Sequence, residues 1–97
     1  MNACWAERDL TATIRHGVDR IHLVQVSDFK IGTIASSQRL VPGDGDIPIA
    51  RIIGDLLTAG YEGSFELELI GDAIVSEGYE AAVPRAVRAL DELLASA

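Results

Sequence analysis

The chain is 97 residues long, with 8 Lys plus Arg against 15 Asp plus Glu and a formal net charge of −7. Hydrophobic residues make up 48% and charged residues 24%, a globular composition that excludes intrinsic disorder. The length holds one domain, and the acidic balance offers no basic footprint for phosphates, which excludes a nucleic-acid partner.

No apolar run approaches the roughly 20 residues of a membrane helix, so no membrane partner is expected. Met1 to Glu7 has neither the basic nor the apolar region of a signal peptide. A single cysteine, Cys4, excludes an internal disulfide and fits a reducing compartment, so the expected location is the cytosol. Nothing local would lower the Cys4 pKa, and Trp5 beside it is read as a packing residue.

In chain order, Ala6 to Arg15 places Leu10 and Ile14 one turn apart with charges between, which predicts a short amphipathic helix. His16-Gly17 ends it, the glycine as a C-terminal stop and the histidine as a complement to the helix dipole. Arg20 to Val26 is β-branched and mostly apolar, a predicted strand covered on both faces. Ser27 to Gly45 is a long connection containing Ser36-Ser37 and Pro42-Gly43-Asp44-Gly45. The latter lacks the Gly-Lys-Ser/Thr of a phosphate-binding P-loop.

Asp46 then reads as the N-cap of a helix with Pro48 in its first turn, an apolar stripe of Ile49, Ile52, Ile53, Leu56 and Leu57, and a stop near Gly60. Ser64 to Leu69 alternates strictly, the mark of a period-2 strand, and Gly71 ends it. Ser76 to Ala97 is predicted helical, with Val83, Val87, Leu90 and Leu94 on one side and a break or kink at Pro84, near residue 83.

Two strands separated by a full helix cannot form a tight hairpin, so they should lie parallel with a right-handed crossover. The class is therefore α/β: about two parallel strands with three flanking helices. Such a sheet leaves both edges open, and parallel sheets normally have more strands between their layers. The expected architecture is thus part of a larger sheet or (β/α)8 barrel, its open edges covered by a second copy or another partner.

Strand parity sorts the polar residues. Ile21, Leu23 and Gln25 share one face of the first strand, and His22, Val24 and Val26 the other. In the second, Phe65, Leu67 and Leu69 look toward the helices, and Glu66 and Glu68 look away. If the faces correspond, Gln25, Glu66 and Glu68 gather near the C-terminal ends of adjacent strands, where α/β folds bind ligands. An amide oxygen and a carboxylate there are hard donors suited to Mg²⁺ or Mn²⁺. The alternative is that both glutamates simply face water on a half-exposed strand.

The run Ile21-His-Leu-Val-Gln-Val-Ser-Asp28, then Pro42-Gly-Asp-Gly-Asp-Ile47, then Gly60-Tyr-Glu-Gly-Ser-Phe-Glu-Leu-Glu68, resembles the last third of xylose isomerase-like TIM barrels, a superfamily of sugar isomerases and epimerases. The resemblance covers nearly all of the chain, with the two strands as the seventh and eighth of the barrel. It implies that residues 1–97 form a C-terminal fragment of such a domain. Glu68 falls on the metal-binding glutamate of the last strand, which in many members also moves protons. Gln25 falls where the family usually has a metal-binding histidine; hydroxypyruvate isomerase-like members also carry glutamine there.

The implied cofactor is Mn²⁺ or Mg²⁺, provided that the two ligands this chain lacks are supplied. The implied partner is a small sugar or hydroxy-carbonyl substrate. Apurinic endonucleases of the superfamily carry Asp-x-His ahead of the Gly-x-Gly loop to complete a zinc cluster. The matching Ser37-Gln38-Arg39 has neither ligand, which argues against DNA repair.

Around these two residues, Asp28 can orient a ligand or start a turn, and Glu66 stands behind Glu68 on the same face. Lys30 and Arg39, the cations of the long connection, can hold an anionic group or substrate hydroxyls, or simply solvate the loop. His22, opposite Gln25, reads as a surface or packing residue, and His16 as a helix-end residue. A (β/α)8 barrel needs ~250 residues, so the short chain is expected to have little or no isomerase activity. The competing expectation is a non-catalytic α/β module.

Overall fold

The computed structural model describes residues 9–32 and 38–96. The readings of Cys4, Trp5, Ser36 and Ser37, and the first turn of the helix expected from Ala6, lie outside the described residues. Helix α1, Leu10–Gly17, starts where the Asp9 carboxylate accepts the amide of Ala12 at 3.2 Å, a side-chain cap for an orphan helix donor. It buries Leu10 and Ile14, as their spacing predicts. The helix ends at Gly17 with Arg15 and His16 in its last turn, as expected, and a single 3-10 turn, Val18–Arg20, follows.

Strand β1 is consequently shorter than expected, Leu23–Val26. It is covered on one face only: Val26 is fully buried and Val24 nearly so, whereas Leu23 is 47% exposed. A two-stranded sheet with helices packed on one side cannot cover both, however apolar the run.

Helix α2, Ile49–Thr58, buries Ile49, Ile52, Ile53 and Leu56, while Leu57 lies at the edge of the stripe and is exposed. Pro48, not Asp46, occupies its N-cap position. Asp46 turns back to the preceding loop, accepting the amide of Ile31 at 2.8 Å. The helix ends as the glycine at 60 predicts: Gly60 has φ 99°, its amide reaches Leu57 O at 3.1 Å, and that of Tyr61 reaches Leu56 O at 2.9 Å. These bonds satisfy the last carbonyls of the helix.

Strand β2, Ser64–Leu67, lies parallel to β1 in register Leu23 with Ser64, Val24 with Phe65, Gln25 with Glu66 and Val26 with Leu67. Tyr61 fixes its entry, donating its hydroxyl to Ser64 O at 2.6 Å and setting its ring edge-on to Phe65, centroids 5.3 Å apart.

The helix expected over Ser76 to Ala97 begins at Tyr79, and a short helix that the sequence reading did not foresee precedes it. Helix α3, Asp72–Glu77, stops at Gly78, whose φ of 90° suits a residue without Cβ. Helix α4, Tyr79–Ser96, then runs through Pro84. Proline removes the donor for the carbonyl of Glu80, but both residues lie on the exposed side, where water can serve that carbonyl. The buried face of α4 is Ala82, Ala86 and Leu90 rather than the predicted Val83 and Val87, which are 40% and 44% exposed. Small residues let the helix approach closely, and the valines fall to one side.

Candidate functional site

The parallel register sets Gln25 beside Glu66 on the exposed face of the sheet. Pairing continues one residue past β2, where the amide of Glu68 donates to Val26 O at 3.1 Å. Glu68 therefore lies two residues beyond Glu66 on the same side of the chain. The three polar residues that parity predicted to share a face do share it.

The connection after β1 returns to this spot. Asp28 and Leu40 form an antiparallel bridge, with N···O distances of 2.9 and 2.7 Å, and the amide of Arg39 donates to Ile70 O at 2.9 Å. Residues 39 and 40 thus lie between the outgoing ends of the two strands. From there the Arg39 guanidinium donates through Nη1 to Glu68 Oε2 at 3.0 Å and to Ser27 Oγ at 3.2 Å. The Arg39 side chain is 13% exposed and that of Glu68 31%, so the ion pair is partly withdrawn from water. Ser27, buried and on the parity of Gln25, was not singled out from sequence; its position two residues after Gln25 is the signal that would have found it.

Asp28 is 1% exposed. Its Oδ1 accepts the amides of Phe29 and Ile47 at 2.9 and 3.0 Å, and its Oδ2 those of Gly43 and Gly45 at 2.9 and 3.0 Å. Four charge-assisted bonds wrap the Pro42-Gly43-Asp44-Gly45 turn around one carboxylate and hold the loop that carries Arg39. Of the two uses foreseen for Asp28, the geometry displays the turn-organising one.

Lys30 is exposed and near enough to Asp44 for its charge to favour that carboxylate. Asp44 in turn meets Arg85 of α4 at 2.6 and 2.8 Å, and Arg85 reaches Glu77 at 2.6 and 3.0 Å. The Arg85 hydrogen bonds hold both carboxyls below their usual range, against a smaller opposing effect of desolvation, and the two carboxylates raise the Arg85 pKa further. This link between turn and helices joins residues 41 and 8 positions apart, which no periodicity reveals. His22 and His16 are both exposed, His16 in the last turn of α1.

A divalent ion needs more than this face provides. Among the described residues, no group of three or more His, Cys, Asp or Glu side chains gathers at metal-binding range. The hard donors on this face are the Gln25 amide, itself engaged, and the two glutamates, of which Glu68 is paired with a guanidinium. The residues present therefore do not by themselves fit a metal centre.

A parallel strand–helix–strand unit, with its polar residues at the C-terminal strand ends and helices on the other face, is the building block of α/β barrels. Comparison with protein families agrees: the family model described as xylose isomerase-like TIM barrel matches residues 1–93. The chain belongs to that family. No curated protein matches it. No helix among the described residues is long and apolar enough to cross a membrane.

Proposed function

We propose that these residues form part of the proton-transfer site of a sugar or hydroxy-carbonyl isomerase or epimerase, and that the 97-residue chain alone has little or no such activity. The observation that carries the proposal is the Glu68 carboxylate at the end of β2, on one face with Gln25 and Glu66 and paired with Arg39. In the complete site Glu68 takes the proton from the carbon beside a carbonyl and returns it to the neighbouring carbon or the opposite face. Arg39 and Lys30 hold the substrate oxygens on which negative charge develops. Asp28 keeps the Arg39 loop in place, and Glu66 flanks Glu68.

Mn²⁺ or Mg²⁺ enters this scheme only where further ligands join Gln25 and Glu68; its chemistry there would be to polarise the carbonyl. The expectation of inactivity rests on the sheet, which among the described residues has two of the eight strands a barrel closes with.

The test is exchange of the substrate α-hydrogen with deuterated water, followed by NMR on small ketoses and hydroxy-carbonyl acids. The chain alone should give none. Co-expression with the first six β/α units of a xylose isomerase-like barrel should restore exchange that Glu68→Gln abolishes. Turnover by the 97-residue chain alone, or restored exchange indifferent to Glu68→Gln, would refute the proposal.

A second reading, a non-catalytic module that completes its sheet with a partner, is favoured by the open edges. A groove of about 540 Å³ runs beside β1, and Val75, Tyr79, Val83 and Val87 of α3 and α4 are exposed. Sedimentation and the co-expression assay together separate the two: a stable, stoichiometric oligomer of the chain, with no exchange even when the first six units are supplied, supports the module.

A further inference from the structure

We infer that Arg39 is a positioning residue that holds Glu68 and keeps divalent cations off it, the guanidinium standing where an ion would place its positive charge. The inference rests on the reading of Glu68 as the reactive carboxylate of this face. It goes further by making Arg39 the group that decides which cation Glu68 meets.

Three anchors fix Arg39. Its backbone amide is bonded to Ile70 at 2.9 Å, its neighbour Leu40 is bridged to Asp28, and its Nη1 is shared between Ser27 and Glu68. None of these depends on a bound ligand. The guanidinium is largely buried at 13% exposure, so solvent screens its charge less than that of a surface arginine. A dication approaching Glu68 must either displace a partly buried, hydrogen-bonded guanidinium or sit beside it, and both are unfavourable.

Without that charge, the same face would present the carboxylates of Glu66 and Glu68. That is an oxygen-donor set of the kind Mn²⁺ accepts. Arg39 thus adds to the shortage of ligands a second obstacle to the metal that the family implies.

The experiment is a Mn²⁺ titration of the isotopically labelled 97-residue chain, reading paramagnetic broadening of the backbone amides of residues 25, 66 and 68. Arg39→Gln should show broadening at a Mn²⁺ concentration at least ~10-fold lower than the unaltered chain. Arg39→Lys, which keeps the charge, should behave as the unaltered chain does. Adding Glu68→Gln to Arg39→Gln should abolish the gain. Ser27→Ala, which removes one anchor and little volume, should shift the titration by ~2–3-fold in the same direction; it decides the matter if Arg39→Gln does not fold.

Equal titrations of the unaltered and Arg39→Gln chains overturn the inference, as does a lysine variant that behaves like the glutamine one. If those equal titrations are still abolished by Glu68→Gln, Glu68 survives as a metal-binding carboxylate and only the role of Arg39 fails. Broadening indifferent to Glu68→Gln removes both.

Discussion

The amide of Gly45 donates to Asp28 Oδ2 at 3.0 Å, and a Cβ at residue 45 would lie 2.5 Å from Asp28 Oδ1 and 2.6 Å from the carbonyl oxygen of Phe29. The turn closes on the carboxylate only because residue 45 has no side chain. A backbone oxygen cannot swing aside, so Gly45→Ala should force the turn off Asp28 and cost ~2–4 kcal/mol. Gly43→Ala is the control. Nothing lies within 4 Å of a Cβ there, and the strain comes only from its φ of 98°, for which ~1 kcal/mol is expected. Urea unfolding of the two variants checks the order; equal losses would contradict the close-approach argument.

Asp28→Ala removes the acceptor of four backbone amides at once. At least one of these bonds, from Ile47, is fully buried. The variant should lose ~3 kcal/mol or more, since orphaned donors carry their whole desolvation cost. Asp28→Asn keeps one accepting oxygen but turns an N–H₂ toward other donors, so it should fall between. Amide hydrogen exchange offers a local readout: residues 43, 45 and 47 should lose protection beyond what the global loss explains.

Periodicity reveals whatever repeats along the chain. The alternation of Ser64 to Leu69 and the apolar run into Val26 were enough to place Gln25, Glu66 and Glu68 together, because a parallel ladder preserves parity across strands. The stripe of α2 and its glycine stop were legible for the same reason. The clasp on Asp28 and the Ser27–Arg39–Glu68 contacts were not, because they join positions up to 29 apart through an irregular connection. Local signals also misled where two residues competed for one role. Asp46 looks like a cap but is held by the Ile31 amide, and Pro84 looks like a breaker while Gly78 does the breaking.

Acid should weaken the tie between the turn and the C-terminal helices. Asp44 and Glu77 both have folded-state pKa values below their unfolded ones because of Arg85. A depressed carboxyl pKa contributes stability that is present above the unfolded value and is lost as pH falls through the folded value. That loss begins below about pH 4, the ordinary carboxylate range. All three side chains are substantially exposed, so the contribution is modest and salt-sensitive. Melting temperatures of the unaltered chain and Arg85→Ala should differ at pH 7 and draw together as the pH falls below the ordinary carboxylate range. A gap that widens on acidification would reverse the assigned sign.

Pro84 is a built-in weak point of α4, and replacing it should help. The amide that Pro84→Ala restores lies one turn after Glu80, whose carbonyl can then accept it within the helix. Both positions face solvent, so the new side chain meets no packed neighbour. A proline inside a helix costs up to ~3 kcal/mol relative to alanine. Part of that is recovered in the unfolded chain, which proline stiffens, so a gain of ~1–2 kcal/mol is expected. Gly78→Ala should act in the opposite direction: no atom lies within 4 Å of its Cβ position, but φ is 90°. The pair measures which residue sets the boundary between α3 and α4. If Pro84→Ala destabilises and Gly78→Ala is neutral, then the break belongs at the proline after all and the two-helix description of this segment fails.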